Sequence, residues 1–400
     1  MKFGAAMSPA RNVVFFSPQL PDWVTAFAIA LGRDPEVNLL CVSDQPYESL
    51  PSDLVAVLTE YYKINTLDNE DEVAQAVQFF RDKYGSVDRF ESLNEHWLGL
   101  EARIRDRFDI VGPRPDFIEQ VTRKSKMKAV FDKAGVATIQ GTVVTTIDDA
   151  LAFTGTHGYP VIVKPDTGAG ASSTYRVDND DHLRHIFDSR PDPAAPVVVE
   201  QFMDARIFTF DGMVDADGQI IFASSTLYDQ SVMEVVNSGD NAYYITLPEV
   251  PANVREAGEA IVKAYDLRER YFHIEIFDRR DGKGLVGLEI NMRPPGAWMT
   301  DAANVANSTD VYGRWTAMIS GQPQPQSGPD LNYSAYASRK NFNHYAHSRE
   351  ECFGFIGDRL VKYRHIEAVF APAMGDEAFL VRAQSMEEAR EMIAYVQQRA

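Results

Sequence analysis

Residues Tyr271 to Gly296 read YFHIEIFDRRDGKGLVGLEINMRPPG, the densest concentration of chemistry in the chain. Two apolar-rich runs flank the turn signal Asp281-Gly282-Lys283-Gly284, which predicts a β-hairpin around a glycine-containing loop. Strand alternation places His273, Glu275 and Phe277 on one face of the first strand. It places Glu289, Asn291 and Arg293 on one face of the second, opposite Leu288, Ile290 and Met292. If the two polar faces coincide, two carboxylates, an amide oxygen and a guanidinium converge. Oxygen donors held on neighbouring strands suit a hard Mg²⁺ ion that keeps waters and phosphate oxygens in its shell. The same alternation also describes a half-buried hairpin with a solvated charged face, and spacing alone does not choose between the two.

Working outward towards the N-terminus, VREAGEAIVKAY carries Val254, Ala257, Ile261 and Ala264 at helical spacing, a core stripe. Before it come an irregular stretch from Tyr228 to Tyr244 and a hairpin, ARIFTFDGMVDADGQIIFAS, with its turn at Asp215 to Gly218. VVVEQFM, Val197 to Met203, reads as a buried strand ending in Glu200, Gln201, Phe202 and Met203, where exposed backbone groups suit recognition of a base. YPVIVKP is an apolar strand carrying one lysine, Lys164, and it runs into the small-residue loop Asp166 to Thr174, DTGAGASST. Small residues let backbone amides approach an anion closely, with Lys164 as a point charge beside them. No Gly-Lys-Ser/Thr follows, so this is not a Walker A loop. The other reading is a plain surface connection. His182 and His185 share a helical spacing without a third ligand and read as surface residues.

Further upstream, the helical segment FIEQVTRKSKMKAVFDKAG carries Lys124, Lys126 and Lys128, either a solvated face or a local basic cluster able to receive a phosphate. Pro113 and Pro115 punctuate the chain before it and predict a domain boundary. From Asn12 to Pro115 strands and helices alternate as in an α/β unit, and no GxGxxG follows the first strand, so no dinucleotide is assigned there. Glu91 and Glu95 are candidate partners for a substrate ammonium or simple loop carboxylates. Downstream of the hairpin, GAWMTDAANVANSTDVYGRWTAMISG predicts a helical segment from near Asp301. On or beside it, Asn304, Asn307 and Asp310 are candidates for lining a substrate pocket. A linker-like GQPQPQSGPD precedes strands near HIEAVFAP and EAFLVRA and a final helix, SMEEAREMIAYVQQR.

The 400 residues are 45% hydrophobic, enough for a sizeable core, and the formal charge of −19 speaks against a general nucleic-acid surface. Cys41 and Cys352 stand alone, which supports neither a disulfide framework nor a structural zinc site and fits a reducing cytoplasm. No run is apolar and long enough to span a bilayer, and the N-terminus lacks a signal-peptide core, so export and membrane insertion are not expected.

Taken in order, the lysine, the VKP strand, the glycine-rich loop, the Glu hinge and LEINMRPPG resemble the ATP-grasp superfamily. Within it they resemble the carboxylate-amine ligases, such as D-alanine:D-alanine and L-amino acid ligases, akin to biotin carboxylase. The resemblance covers roughly Pro113 to Gly321. It implies an α/β and α+β chain: an N-terminal doubly wound pre-ATP-grasp domain over 1–115, an ATP-grasp domain over 116–325 with a small lid about 125–203, and a C-terminal α+β region over 326–400. It implies ATP with Mg²⁺ or Mn²⁺ as cofactors. Lys124 and Lys164 match the family's phosphate-binding lysines, and Gly168, Gly170, Ser172 and Ser173 its flap. Glu200, Gln201, Phe202 and Met203 match the adenine hinge, with Leu288 as an apolar wall. Glu275, Glu289 and Asn291 match the metal ligands, Arg293 the cation for the transferred phosphate, and His273 a phosphate-contacting position.

The chain departs from the family at the ribose acceptor, where Ile207 stands in place of an acid and Asp211 is a weak substitute. The implied reaction joins a small-molecule carboxylate and an amine through an acyl phosphate, in a cytoplasmic protein for which a homodimer is an expected assembly, with no nucleic-acid or membrane partner. A biotin-carboxylase-like enzyme, an ATP-grasp kinase and a non-catalytic nucleotide-binding module are the alternatives.

Overall fold

The computed structural model describes residues 10–19, 21–168, 173–230, 235–236 and 238–400. Their strands form three sheets. The first is parallel, in the order β3 (Glu60–Lys63), β2 (Val37–Ser43), β1 (Arg11–Phe16), β4 (Arg89–Glu91). Its central strands are apolar at every second residue on both sides because both faces are covered. Val13, Phe15, Leu39 and Cys41 pack with the helix Asp22–Gly32, whereas Val14, Phe16, Leu40 and Val42 pack with Glu70–Tyr84. The latter helix is capped by Asn69, which accepts from the N–H groups of Asp71 and Glu72, and it stops at Gly85 in the left-handed region.

The second sheet, antiparallel, has the order β5 (Gly141–Val144), β8 (Val197–Gln201), β6 (Val161–Pro165), β7 (Tyr175–Val177). Helices Ile147–His157 and Asp180–Asp188 cover one face through Val161, Val163, Val197 and Val199. The alternate residues Ile162, Lys164 and Glu200 are thereby turned to the other face. His182 and His185 lie on the helix Asp180–Asp188, both outside the core.

The third sheet has nine strands. It runs β14 (Leu285–Asn291), β13 (Arg270–Arg279), β9 (Ala205–Val214), β11 (Thr226–Tyr228), β12 (Tyr243–Thr246), β15 (Tyr333–Arg339), β17 (Glu377–Ala383), β16 (Leu360–His365), with β10 (Ile220–Ser224) paired to β9. Strands from after residue 326 are therefore hydrogen-bonded into the same sheet as the hairpin. The final helix, Met386–Gln397, packs its apolar stripe against them.

Two helical expectations break in instructive ways. The lysine-bearing segment is two helices, Pro115–Thr122 and Lys124–Lys133, separated at Arg123 in extended conformation. Arg123 forms an isolated bridge with Thr167, and the Lys124 N–H donates to the Asp166 carbonyl at 2.9 Å, so pairing with the small-residue loop outweighs helical continuity. The segment after the hairpin is likewise two helices, Met299–Ala306 and Val311–Ser320. The second packs Trp315, Met318 and Ile319 onto the first sheet. Asn304, Asn307 and Asp310, expected near a substrate pocket, instead hold this break. Asn304 accepts from the Val311 N–H, Asn307 donates to the Leu247 and Pro248 carbonyls, and Asp310 caps the second helix. The strand expected near HIEAVFAP ends at His365, and Ala371–Met374 is a short helix.

Candidate active site

The hairpin forms with the expected faces. β13 and β14 pair His273 with Asn291 and Glu275 with Glu289, and β9 extends the rows by placing Asp211 beside His273, Thr209 beside Glu275 and Ile207 beside Phe277. Polarity therefore rises along the strands, from an apolar row through a carboxylate row to a charged row. Strict alternation sets Leu288 on the face opposite Glu289. A register shift next to Glu275, with Ile276 opposite Gly287, inserts Leu288 as an extra residue, and both Leu288 and Glu289 line the cleft.

That cleft lies between the second and third sheets. Its apolar end is made by Ile139, Ile162, Phe202, Met203, Ile207, Phe277 and Leu288, and its charged end by Lys124, Lys164, Glu275 and Glu289. Gly287 has a structural part in this: a Cβ there would meet the Phe131 ring at 2.5 Å. The bare backbone lets the helix Lys124–Lys133 pack directly on β14.

The three lysines separate by helical geometry. Lys124 and Lys128, four apart, share a face. Lys124 is buried and its Nζ donates to the Gly168 carbonyl at 2.7 Å. Lys128 Nζ donates to Glu200 Oε2 at 2.7 Å and to the Ile139 carbonyl at 2.8 Å. Lys126 pairs with Glu119 at the surface. Glu200, fully inside, is also paired with Lys164. Burial pushes its carboxyl up, but Lys164 and then Lys128 outweigh that and hold it below the usual carboxylate range. After Glu200, the N–H groups of Gln201 and Phe202 are used by the Gln140 and Pro160 carbonyls, and the chain leaves the sheet at Met203.

Glu275 and Glu289 face one another across adjacent strands. Like charges in directly opposed positions are destabilising unless a cation is shared. Among the described residues, His273 Nε2 lies 3.3 Å from Glu275 Oε1, and Asn291 Nδ2 donates to Glu289 Oε1 at 3.2 Å. An oxygen-donor set of this composition, open to a cleft that also presents two lysines, fits a divalent cation with phosphate oxygens. His273 does not reach the cleft as expected. It is buried, Nδ1 lies 2.6 Å from Asp211 Oδ1, and the ring sits behind Glu275 as a positioning group. Burial opposes its charge, yet Asp211 and then Glu275 prevail and push it up to about 10. Asp211, spent on His273 and Thr209, is no ribose acceptor. The residues near Ile207 that do border the cleft are Asp204, Asp229 and Arg280. Asp229 follows Tyr228, which pairs with Ile207. Sequence reading missed Asp229 and Arg280 because only the β9–β11 pairing brings the first there and only the β9–β13 pairing the second.

Arg293 lies beyond the hairpin and lines a second, adjoining cleft with Gly168 and Glu95. Its Nη2 is 3.2 Å from Glu95 Oε2. Glu91 is elsewhere, in a buried cluster with Arg105 and Arg270, and meets no cleft. Ser173 is exposed, with φ of 60°, at the far side of the loop. Gly170 and Ser172 lie outside the described residues.

Comparison with known proteins agrees with this architecture. Residues 123–232 match the ATP-binding domain of the carbamoyl-phosphate synthase L chain. The L-arginine-specific L-amino acid ligase of Bacillus subtilis is 25% identical over 221 residues, 54% of this chain and 53% of that protein. The alanine–anticapsin ligase of Bacillus amyloliquefaciens is 29% identical over 155 residues, 38% of this chain and 32% of that one. The chain thus spans about half the length of the first of these curated relatives and less of the second. The crystal structure of an L-amino acid ligase from Bacillus licheniformis superposes with a TM-score of 0.71 at 15% identity, over 96% of this chain and 97% of that one. N5-carboxyaminoimidazole ribonucleotide synthetase from Thermotoga maritima superposes with a TM-score of 0.69 at 15% identity, over 96% and 97%. The fold of the chain is therefore the ATP-grasp fold.

Proposed function

We propose that the chain is an ATP-dependent carboxylate-amine ligase that forms an amide bond through an acyl phosphate and releases ADP and phosphate. The observation that carries this reading is the facing pair Glu275 and Glu289 at the charged end of a cleft whose other end is apolar. A nucleotide laid along that gradient has its base between Ile162, Met203 and Leu288 and its phosphates towards Lys124 and Lys164. The backbone that leaves the sheet at Met203 borders the base, and Asp229 takes the ribose hydroxyls in place of the acid absent at Ile207. A Mg²⁺ ion held by Glu275, Glu289 and Asn291 supplies charge neutralisation at the phosphate oxygens. Lys124 and Lys164 offset the remaining charge, which is the main task in phosphoryl transfer. Arg293, which lines the second cleft, orients the substrate carboxylate for attack on the γ-phosphorus. The resulting acyl phosphate is then opened by the amine, with phosphate as the leaving group.

The domain boundaries at 115/116 and 325/326 belong to this reading, as do a cytoplasmic location and a homodimer. The test is nucleotide analysis with ATP, Mg²⁺ and pooled amino acids. ADP and phosphate in equal amounts, dependent on both a carboxylate and an amine, are expected; AMP and pyrophosphate would overturn the acyl-phosphate route, and ADP without free phosphate would point to a kinase.

A further inference from the structure

The second cleft adjoins the first where Lys124, which lines the first, donates to the Gly168 carbonyl, which lines the second, and it opens beside the Phe370 turn. Its two ends differ in chemistry. The inner end holds Glu95 and Arg293, an opposite-charge pair 3.2 Å apart, with Glu95 nearly buried. The outer end is apolar: Trp23 and Phe370 meet with ring centroids 5.1 Å apart, over Val24, Leu93 and Ile118. Among the described residues that line this cleft, Glu95 is the single carboxylate.

We infer that this cleft binds the amino acid whose carboxylate is activated and selects one with a bulky apolar or aromatic side chain. The inference rests on the ligase reading above. Arg293 receives the α-carboxylate and Glu95 the α-ammonium, so the zwitterion replaces the Glu95–Arg293 contact with two complementary ones. The side chain then points away from the phosphates and packs against the Trp23–Phe370 pair, where burial of its surface supplies the selectivity. A guanidinium or ammonium side chain would be stripped of water there without a carboxylate to meet it, and an acidic one would lack a cation. Atoms balance as in any such ligation: the carboxylate oxygen bonds to the γ-phosphorus as ADP leaves, and the amine nitrogen bonds to the carbonyl carbon as phosphate leaves.

Hydroxylamine as the amine makes the test independent of the natural acceptor. The full chain is incubated with ATP, Mg²⁺, hydroxylamine and one free amino acid at a time, and hydroxamate and ADP are both measured. Phenylalanine and leucine are expected to exceed alanine, arginine, lysine and aspartate in kcat/KM by roughly tenfold or more, the range an apolar pocket achieves. In Trp23→Ala the preference for phenylalanine over alanine should fall to within a few-fold. Hydroxamate from charged amino acids alone, or an undiminished preference in Trp23→Ala and Phe370→Ala alike, overturns the inference and leaves the ligase reading in place. ADP and hydroxamate from none of them overturns both.

Discussion

Glu91 and Glu95 lie four residues apart, at the end of one strand and just after it, the first buried and the second nearly so, yet their surroundings are opposite in kind. Glu91 is compensated within the fold. Arg105 Nη2 lies 3.1 Å away, Arg270 also donates to it, and Arg105 in turn is held by Glu101 at 2.6 Å and by the Phe90 carbonyl. Burial pushes Glu91 up, but Arg270 and Arg105 more than reverse that and leave it below the usual carboxylate range. Glu95 is ion-paired with Arg293, with Lys124 attracting it from farther off, and it faces a cleft. There burial prevails over Arg293, the Glu289 charge adds to it, and the group is held above its ordinary value. Burial alone does not separate a structural charge from a functional one. What separates them is whether the compensation is complete before anything binds.

The largest effect expected from this contrast lies on the cleft side. Glu289→Ala should lower ADP formation by ~10³-fold or more, the scale on which phosphoryl-transfer sites lose a principal charge contact. Its melting temperature should hold or rise, because the like-charge opposition with Glu275 is relieved. A variant with ordinary turnover would remove Glu289 from the site.

On the core side, Glu91→Gln leaves Arg105 and Arg270 facing each other without their shared carboxylate. Breaking a buried pair from one side costs about 3 to 5 kcal/mol, readable as a shift in the urea midpoint with nucleotide affinity unchanged. The pH dependence fixes the sign. A carboxyl depressed in the folded state adds stability above the unfolded-state value and loses it as pH falls through the folded value. Glu91→Gln should therefore narrow the gap from the parent chain on the acid side of that range. Impaired nucleotide binding with normal stability would reverse the assignment of roles.

The hairpin and its polar residues are legible in the sequence, whereas the contrast between Glu91 and Glu95 is not. Period-2 alternation around Asp281–Gly284 puts His273 with Glu275 and Glu289 with Asn291 but leaves open whether the two faces coincide: the register set at the turn would bring Leu288 opposite Glu275, and the bulge brings Glu289 there instead. Leu288 was assigned to the wrong face because a bulge adds one residue without a composition signal. The break at Arg123 was invisible for a similar reason: helical propensity is local, and the bridge to Thr167 spans 44 residues. Glu91 and Glu95 were indistinguishable because their partners, Arg270 and Arg293, are nearly 200 residues away in sequence. Asp211 and His273 are likewise joined only by the β9–β13 register, which turned an expected phosphate contact into support for Glu275.

A smaller effect should appear at the rim of the nucleotide cleft. Asp229 accepts from Arg390 at 2.7 Å through one oxygen, which orients the carboxylate beside Ile207. If it takes the ribose hydroxyls, the parent chain should bind ATP more tightly than 2′-deoxy-ATP, and Asp229→Asn should narrow that ratio by about tenfold, the size of a charge-assisted hydrogen bond. Calorimetric titration of both nucleotides measures it. An unchanged ratio, with ATP still binding, would return the ribose to an unassigned partner such as Arg280.

The smallest effect returns to Glu95. Its carboxyl is raised on folding, so the folded chain holds that proton more tightly than the unfolded one. The linked stability is present below the unfolded-state value and is lost as pH rises through the folded value. At neutral pH the ionised group therefore works against the fold. Glu95→Gln keeps the shape, removes the charge and should raise the melting temperature slightly at neutral pH, with the gain vanishing in acid. The same variant should bind a free amino acid less well while binding ATP normally, because the amide no longer offers a full charge to the ammonium. Arg293 sets the limit on the gain: its Nη2 loses an ionic partner but keeps a neutral oxygen within reach, and its Nη1 still donates to the Pro294 carbonyl at 2.9 Å. A loss of stability in Glu95→Gln at neutral pH would mean that Glu95 is compensated as Glu91 is, and the distinction between the two carboxylates would fail.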